Sequence, residues 1–301
     1  FDTKELFLPL TTTAAETVTL APEKKITFDD IGGNDALKEE LMSLAAGLRD
    51  PSIYSHWGIN PPAGILLAGP TGTGKTLAVR ALASEAGVTL KVVTADKLKD
   101  MWYGNSEKLT AALFDEAEKR PGRTIIFIDE IDTLFQSRDR GDVHDATASI
   151  EGVLFQRLDG IGGNGKVTII AATNHMSHLD RALIRPGRFD IVVQVPLPDG
   201  PARKKIFQIH IEAIEQAAGR KIFRGLKWPE IIQKTEGYSG AAISAVLKSV
   251  GNGRVKDGIF GRKVRETVTN RDLVEAIEDF RPEEFEKSKR PMGFAGLHEN
   301  R

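Results

Sequence analysis

Gly69-Pro-Thr-Gly-Thr-Gly-Lys-Thr76 has the spacing G-x-x-x-x-G-K-[ST] and directly follows the apolar run Gly64 to Ala68. That order of residue types suits phosphate. Glycines let the backbone N–H groups of Pro70-Thr71-Gly72-Thr73-Gly74 and its flanks turn inward on phosphate oxygens, Pro70 excepted because it has no N–H. The stretch from Lys75 through Leu77 opens a helical pattern, so a helix N-terminus adds a favourable dipole for an anion. Lys75 supplies neutralising charge, and the Thr76 hydroxyl is a ligand for Mg²⁺.

About fifty residues on, Thr124-Ile-Ile-Phe-Ile128 ends in Asp129-Glu130. Two carboxylates at the end of a buried strand are costly unless something cationic meets them, and Mg²⁺ with an attacking water does. Asp129 is then the residue that orders the hydrated metal, and Glu130 the base that polarises the water. Together the two segments make a nucleoside-triphosphate site.

The elements that must hold these residues follow from the pattern of apolar runs. Gly64–Ala68, Thr89–Val93, Thr124–Ile128, Val167–Ala172 and Ile191–Val195 read as strands, alternating with helical stretches such as Lys75–Ala86 and Ser106–Lys119. Apolar strands separated by amphipathic helices predict an α/β fold: a five-stranded parallel sheet of P-loop NTPase type with helices on both faces. Beyond Pro196-Leu-Pro198 the β runs stop. Helices are expected at about 202–217, 228–235, 239–250 and 270–279, the last capped by Asn270, forming a small all-α lid domain. The expected boundaries are a linker or remnant of an upstream domain over 1–25, a large α/β domain over 26–198, the lid over 199–282 and a C-terminal tail over 283–301.

Composition narrows the partners. With 41 basic and 42 acidic residues the net charge is −1, so no overall field favours DNA, RNA or an anionic membrane. The absence of cysteine excludes a disulfide framework and thiolate metal sites, and suits a cytoplasmic or other reducing compartment. The longest uncharged stretch, His56 to Gly74, is interrupted by prolines and glycines and does not read as a transmembrane segment. The chain opens on Phe1 instead of Met, which reads as an excerpt or processed chain; membrane association through an upstream segment stays open.

From about Ile26 to Pro282 the chain resembles the AAA family of ATPases, within the AAA+ class. The matching segments are Phe28-Asp-Asp-Ile-Gly-Gly33, the phosphate loop, Ile126-Phe-Ile-Asp-Glu-Ile-Asp132, Ala171-Ala-Thr-Asn174, Leu179 through Asp190, and Glu236-Gly-Tyr-Ser-Gly-Ala-Ala242. The resemblance implies ATP/ADP and Mg²⁺ as cofactors and a homo-oligomer, a hexamer, as the working form. It makes Asn174 the sensor of the γ-phosphate, and Arg185 and Arg188 the arginine fingers that reach a neighbouring subunit's site and stabilise charge on the transferred group. Ile31, Gly32 and His210 match residues lining the adenine pocket, and Gly240-Ala241 match lid residues that pack on the nucleotide. Ala241 also agrees with a branch that lacks the sensor 2 arginine.

Met101-Trp102-Tyr103-Gly104 falls where the family's motors carry a first pore loop, amid Lys97, Lys99, Asp100, Asn105 and Glu107. Trp102 and Tyr103 would grip an extended polypeptide by apolar contact, without regard to its sequence. A second pore loop would fall within 136–145. The stretch Ala146-Thr-Ala-Ser-Ile150 replaces the paired arginines of severing enzymes such as katanin and spastin; it and the Trp-Tyr-Gly loop are more like the AAA proteins that extract tail-anchored membrane proteins, of which Arg185-Pro-Gly-Arg188 is not typical. The subfamily stays open. No His-Glu-x-x-His motif is present, so a fused zinc protease is not expected in this stretch.

The resulting expectation is an ATP-hydrolysing unfoldase, translocase or disassembly motor acting as a ring on polypeptide, with an adaptor still to be identified. A nucleic-acid-directed AAA+ ATPase of the clamp-loader or initiator type is the alternative, opposed by the neutral charge and the aromatic loop; salt-sensitive binding to single-stranded DNA would favour it. A nucleotide-binding scaffold without turnover is opposed by Glu130, Arg185 and Arg188.

Overall fold

The computed structural model describes residues 25–280 apart from 60, 63, 96–97, 99–105, 135–151, 160–165 and 186. The expected pore loops, Met101 to Gly104 and 136–145, the stretch 146–150 and the tail from 283 therefore lie outside the described residues, as does all but the end of the expected linker. Contacts divide the chain into two units: residues up to 29, 36–69 and 75–195 form one, and 30–35, 70–74 and 196 onward form the other.

The first unit is built on strands β1 (Gly64–Ala68), β2 (Thr89–Thr94), β3 (Thr124–Asp129), β4 (Val167–Thr173) and β5 (Phe189–Gln194). They form a five-stranded sheet in the order β2-β3-β4-β1-β5, and every pairing is parallel. All residues of β1 and β4, and all of β3 before Asp129, are buried. Burial at successive positions means burial on both sheet faces, which is why these strands carry unbroken apolar runs instead of alternation. Helices α1 (Asp35–Arg49), α2 (Ser52–His56), α3 (Lys75–Ala86), α4 (Ser106–Lys119) and a segment over 152–159, α5, complete the unit. Leu66, Phe114, Ile126, Ile128, Leu158 and Ile169 belong to its core.

Edge strand β2 carries an exception to its apolar neighbours. Lys91 is fully buried, and its ammonium lies 2.6 Å from Glu116 Oε2 on α4. That ion pair with Lys91, together with Arg120, holds the Glu116 carboxyl below its ordinary range against the effect of burial.

The second unit contains α6 (Gly200–Ala218), α7 (Trp228–Lys234), α8 (Gly240–Ile259) and α9 (Asn270–Asp279). Asp199 caps α6 by accepting from Ala202 N at 2.8 Å, and Gly219, at φ +66°, ends it in the left-handed conformation that glycine adopts without strain. Phe207, Ile231, Ile243, Val246 and Leu273 form the core.

Two expectations need correction here. Helix α8 does not stop near 250 but runs through Gly251 and Gly253 to Ile259. Each glycine costs helix stability of about 1 kcal/mol, and what offsets it lies one turn on, where Arg254 meets Asp272 of α9 at 2.7 Å. Asn270 is not the cap of α9. Thr269 is, in a capping box with Asp272, while the Asn270 side chain accepts from Lys227 N and donates to Glu230 Oε2, both at 2.8 Å, securing the start of α7.

Asp272 makes the helical unit acid-sensitive. Its burial works against ionisation but is outweighed by hydrogen bonds from Thr269 and by Arg254, which bring its pKa down from 3.8 to about 2. A depressed carboxylate contributes stability that is complete above the unfolded value and lost as pH falls toward the folded one. About 2 kcal/mol should therefore disappear between roughly pH 4 and pH 2. Acid titration of the helical signal checks this: Asp272→Asn should be less stable at neutral pH and should lack this component of the acid transition.

Among the described residues no helix is long and apolar enough to cross a membrane.

Candidate active site

The residues singled out by type gather at the carboxyl ends of adjacent parallel strands, the place where such sheets bind ligands. Gly69 follows β1, Asn174 follows β4 and Glu130 follows β3, with Ala68 opposite Thr173 and Ile128 opposite Ala171 in the ladder. Register thus brings together residues more than a hundred positions apart.

Lys75, at the first position of α3, is buried. Its Nζ donates to Gly69 O and to Asn174 Oδ1, both at 2.7 Å. One ammonium group therefore joins the start of the phosphate loop to the end of β4. Alongside, Thr76 Oγ1 donates to Asp129 Oδ2 at 2.9 Å. A hydroxyl and a carboxylate oxygen paired at this spacing are the hard donors that Mg²⁺ takes beside phosphate oxygens. Leu77 is half-buried on the same turn.

Glu130 is exposed and adopts φ 55°, ψ 45°, one of two non-glycine residues of positive φ among those described. Such a backbone costs about 1 kcal/mol or more and persists where its surroundings over-determine it, commonly at functional sites. Its N–H donates to Asp129 Oδ1 at 3.0 Å. Although neighbours in the chain, Asp129 is half-buried and bonded to Thr76, whereas Glu130 is exposed.

The loop has the build of a phosphate cradle. A side chain at Gly69 would place its Cβ 2.0 Å from Val195 O, a backbone atom that has no room to yield. Gly74 has open space around it, so there the requirement is conformational: φ is +93°. Gly69 and the N-terminal amides of the 12-residue helix α3 fit phosphate, and the Thr76–Asp129 pair fits its magnesium.

Residues 70–74 belong with the helical unit, as do 30–35. Thr73 Oγ1 donates to Pro70 O at 2.9 Å, and Ala241 N donates to Gly72 O at 3.1 Å. Gly72, at φ +75°, is so close to Ala241 and Ser239 that a Cβ would lie 2.7 Å from the Ala241 Cβ. Gly32 is likewise packed on α6, where a Cβ would meet Ile206 N at 2.8 Å. Ile31 and His210 are half-buried, Gly240 opens α8, and Thr71 is exposed. Burial, followed by the charge of Lys248, holds the His210 imidazole below its ordinary range, so it is neutral near pH 7.

The two arginines differ. Arg188 is engaged within its own chain: Nε lies 3.1 Å from Asp159 Oδ1, Nη1 donates to Ala182 O at 3.0 Å, and the guanidinium stands 3.8 Å from the Phe155 ring centroid. Arg185 is exposed, with no side-chain partner among the described residues. It is the one free to reach outward.

Two residues escape a reading by type. Asp132 and Thr173 are buried, Thr173 Oγ1 donates to Asp132 Oδ1 at 2.9 Å, and His175 N donates to Thr173 Oγ1 at 3.0 Å. A second carboxylate three residues after Asp129, and a hydroxyl residue closing an otherwise apolar strand, are the available signals.

Comparison with known proteins agrees with this geometry. Residues 65–197 match the ATPase family associated with various cellular activities (AAA). The ATP-dependent zinc metalloprotease FtsH of Mesoplasma florum is 35% identical over 258 residues, covering 86% of this chain and 38% of that protein. The proteasome-activating nucleotidase of Saccharolobus solfataricus is 37% identical over 267 residues, covering 87% and 64%. The cell division cycle protein 48 homolog of Archaeoglobus fulgidus is 36% identical over 268 residues, covering 85% and 36%. The chain thus spans from about a third to just under two thirds of the length of these relatives.

Proposed function

The chain belongs to the AAA family of ATPases, and on that premise we propose that it is a ring-forming motor that hydrolyses ATP to move polypeptide past Met101, Trp102 and Tyr103. The observation that carries the reading is the meeting of Lys75 Nζ with Gly69 O and Asn174 Oδ1, next to the Thr76–Asp129 pair. AAA ATPases use ATP and ADP with Mg²⁺; when bound, the magnesium nucleotide supplies the phosphoryl group and the free energy of its transfer to water.

The chain's own residues divide the remaining work. The amides of 71–74 and the N-terminus of α3 bind phosphate, and Lys75 neutralises it. Thr76 and Asp129 would hold the metal. Glu130 takes the proton of the attacking water, and Asn174 orients that water through its amide. Ile31, Gly32, His210, Gly240 and Ala241, all of the helical unit, would meet the base and sugar, and Leu77 is matched to the nucleotide by the family resemblance alone. Arg185 reaches the neighbouring subunit's γ-phosphate, while Arg188, held by Asp159 and Phe155, fixes the turn from which Arg185 projects. In functional terms, residues 26–198 are the catalytic part and 199–282 the lid.

Polypeptide is favoured over nucleic acid as the substrate because two of the relatives carry names tied to proteolysis, a metalloprotease and a proteasome activator. The near-neutral charge and the aromatic Trp102-Tyr103 pair point the same way. Six copies in a ring satisfy the need for an arginine from outside each site.

Mixing two inactive variants tests the ring. Arg185→Ala should lose about 10³-fold in turnover, and Lys75→Ala should not turn over at all. Combined, Lys75→Ala subunits lend Arg185 to sites whose own Lys75 is intact, and phosphate release should recover; a mixture as silent as its parts would refute shared sites. Trp102→Ala should keep ATP turnover and lose unfolding of a tagged fluorescent substrate. Unfolding at the wild-type rate in that variant would remove the threading step.

A further inference from the structure

Thr173, the last residue of β4, is fully buried, and both its hydroxyl and its carbonyl are engaged. The hydroxyl donates to Asp132 Oδ1 at 2.9 Å and accepts from His175 N at 3.0 Å, and the carbonyl accepts from Gly69 N at 3.2 Å. Each of these three partners is the neighbour or near neighbour of a group that acts on the nucleotide. His175 follows Asn174, so the bond from its N–H closes the backbone around the sensor amide. Gly69 opens the phosphate loop, and its own carbonyl accepts from Lys75, which in turn donates to Asn174.

Asp132 completes the set from the other strand. It sits in the one-turn helix Ile131–Thr133, of which Glu130 is the cap, and Thr133 N donates to Glu130 O at 3.0 Å. Glu130 holds a left-handed backbone that costs free energy unless its surroundings enforce it. A buried carboxylate anchored to the neighbouring strand just beyond that turn is such an enforcement. Asp132 is buried and its Oδ1 is taken by Thr173, so its contribution is to geometry.

We propose that Asp132 and Thr173 are positioning residues, whose mutual hydrogen bond sets the placement of Glu130 relative to Asn174 and so the alignment of the attacking water. This inference rests on the ATPase reading above. It adds to it that the base and the sensor are held as one rigid piece, through a bond linking residues 41 positions apart.

The test uses Thr173→Val, which keeps the shape and the carbonyl bond to Gly69 but removes the hydroxyl, and Thr173→Ser, which retains it. Thr173→Val should lower kcat by about 30- to 100-fold, as misplacement by an ångström or less does, with equilibrium binding of a fluorescent ATP analogue within about threefold of wild type. Thr173→Ser should recover turnover to within about threefold. Because Thr173→Val leaves the Asp132 carboxylate without its donor and could unfold the chain, Asp132→Ala/Thr173→Val removes both partners; it should fold, bind the analogue and remain as slow as the single variant. Turnover near wild type in a folded, nucleotide-binding Thr173→Val or double variant would overturn the positioning role alone. A wild-type chain that binds ATP and never releases phosphate would overturn the ATPase reading and the positioning role with it.

Discussion

Glu130→Gln is expected to slow phosphate release by about 10²- to 10⁴-fold while ATP binding stays within a few-fold of wild type. The amide has nearly the shape of the carboxylate, so the left-handed turn at 130 and the bond from its N–H to Asp129 Oδ1 survive the change. Thr76 and Asp129 keep their 2.9 Å pairing, so the residues assigned to the metal are untouched. Only the capacity to take a proton from water is lost. Phosphate release under saturating ATP, set beside equilibrium binding of a fluorescent analogue, separates the two effects. Unchanged turnover would remove Glu130 from the mechanism and leave its strained backbone without a catalytic reason.

Lys75→Ala should act at the preceding stage, weakening ATP binding by about 10²-fold or more, since truncating one member of a buried charged contact costs about 2–5 kcal/mol. Only 7% of Lys75 is exposed, and its ammonium is the common donor to Gly69 O and Asn174 Oδ1. Removing it takes away the charge that meets the phosphates and unlinks the loop from the sensor. Titration with the same analogue checks this directly. Binding at wild-type strength would mean that the loop amides alone hold the nucleotide, and would break the assignment of Lys75.

Where reading from sequence succeeds, the signal is local. Each strand is marked by a run of apolar residues whose burial needs no knowledge of its partners, so Val167–Ala172 and Thr124–Ile128 come within a residue of the observed elements. The phosphate loop is legible because glycine, lysine and threonine are demanded there by backbone angles and by charge. Helix α8 reads as too short because Gly251 and Gly253 disfavour helix locally, while the Arg254–Asp272 pair that supports the extra turns is a tertiary contact. Asn270 misleads for the same reason: as an isolated residue before a helix it is a good cap, and only the position of Lys227 and Glu230 gives its side chain other work.

The candidate site divides along the same line. Glu130, Asp129 and Lys75 are recognisable by type and spacing. Thr173 and Asp132 are not, since a threonine at a strand end has many roles and its bond to a residue 41 positions earlier follows from strand order alone. The different circumstances of Arg185 and Arg188 are hidden likewise, because Phe155 and Asp159, which hold Arg188, lie about thirty positions upstream.

The left-handed backbone at Glu130 also bears on how the protein would respond to selection. Glycine or asparagine would occupy φ 55° at lower cost than glutamate does, so the folded chain tolerates there a residue that its own backbone disfavours. A screen that rewarded heat resistance and ignored turnover should drift toward Glu130→Gly or Glu130→Asn and enrich inert proteins. Any effort to harden this domain for use outside the cell should hold position 130 fixed and seek its gains elsewhere, for instance at the helix glycines Gly251 and Gly253, around which there is open space for a methyl group.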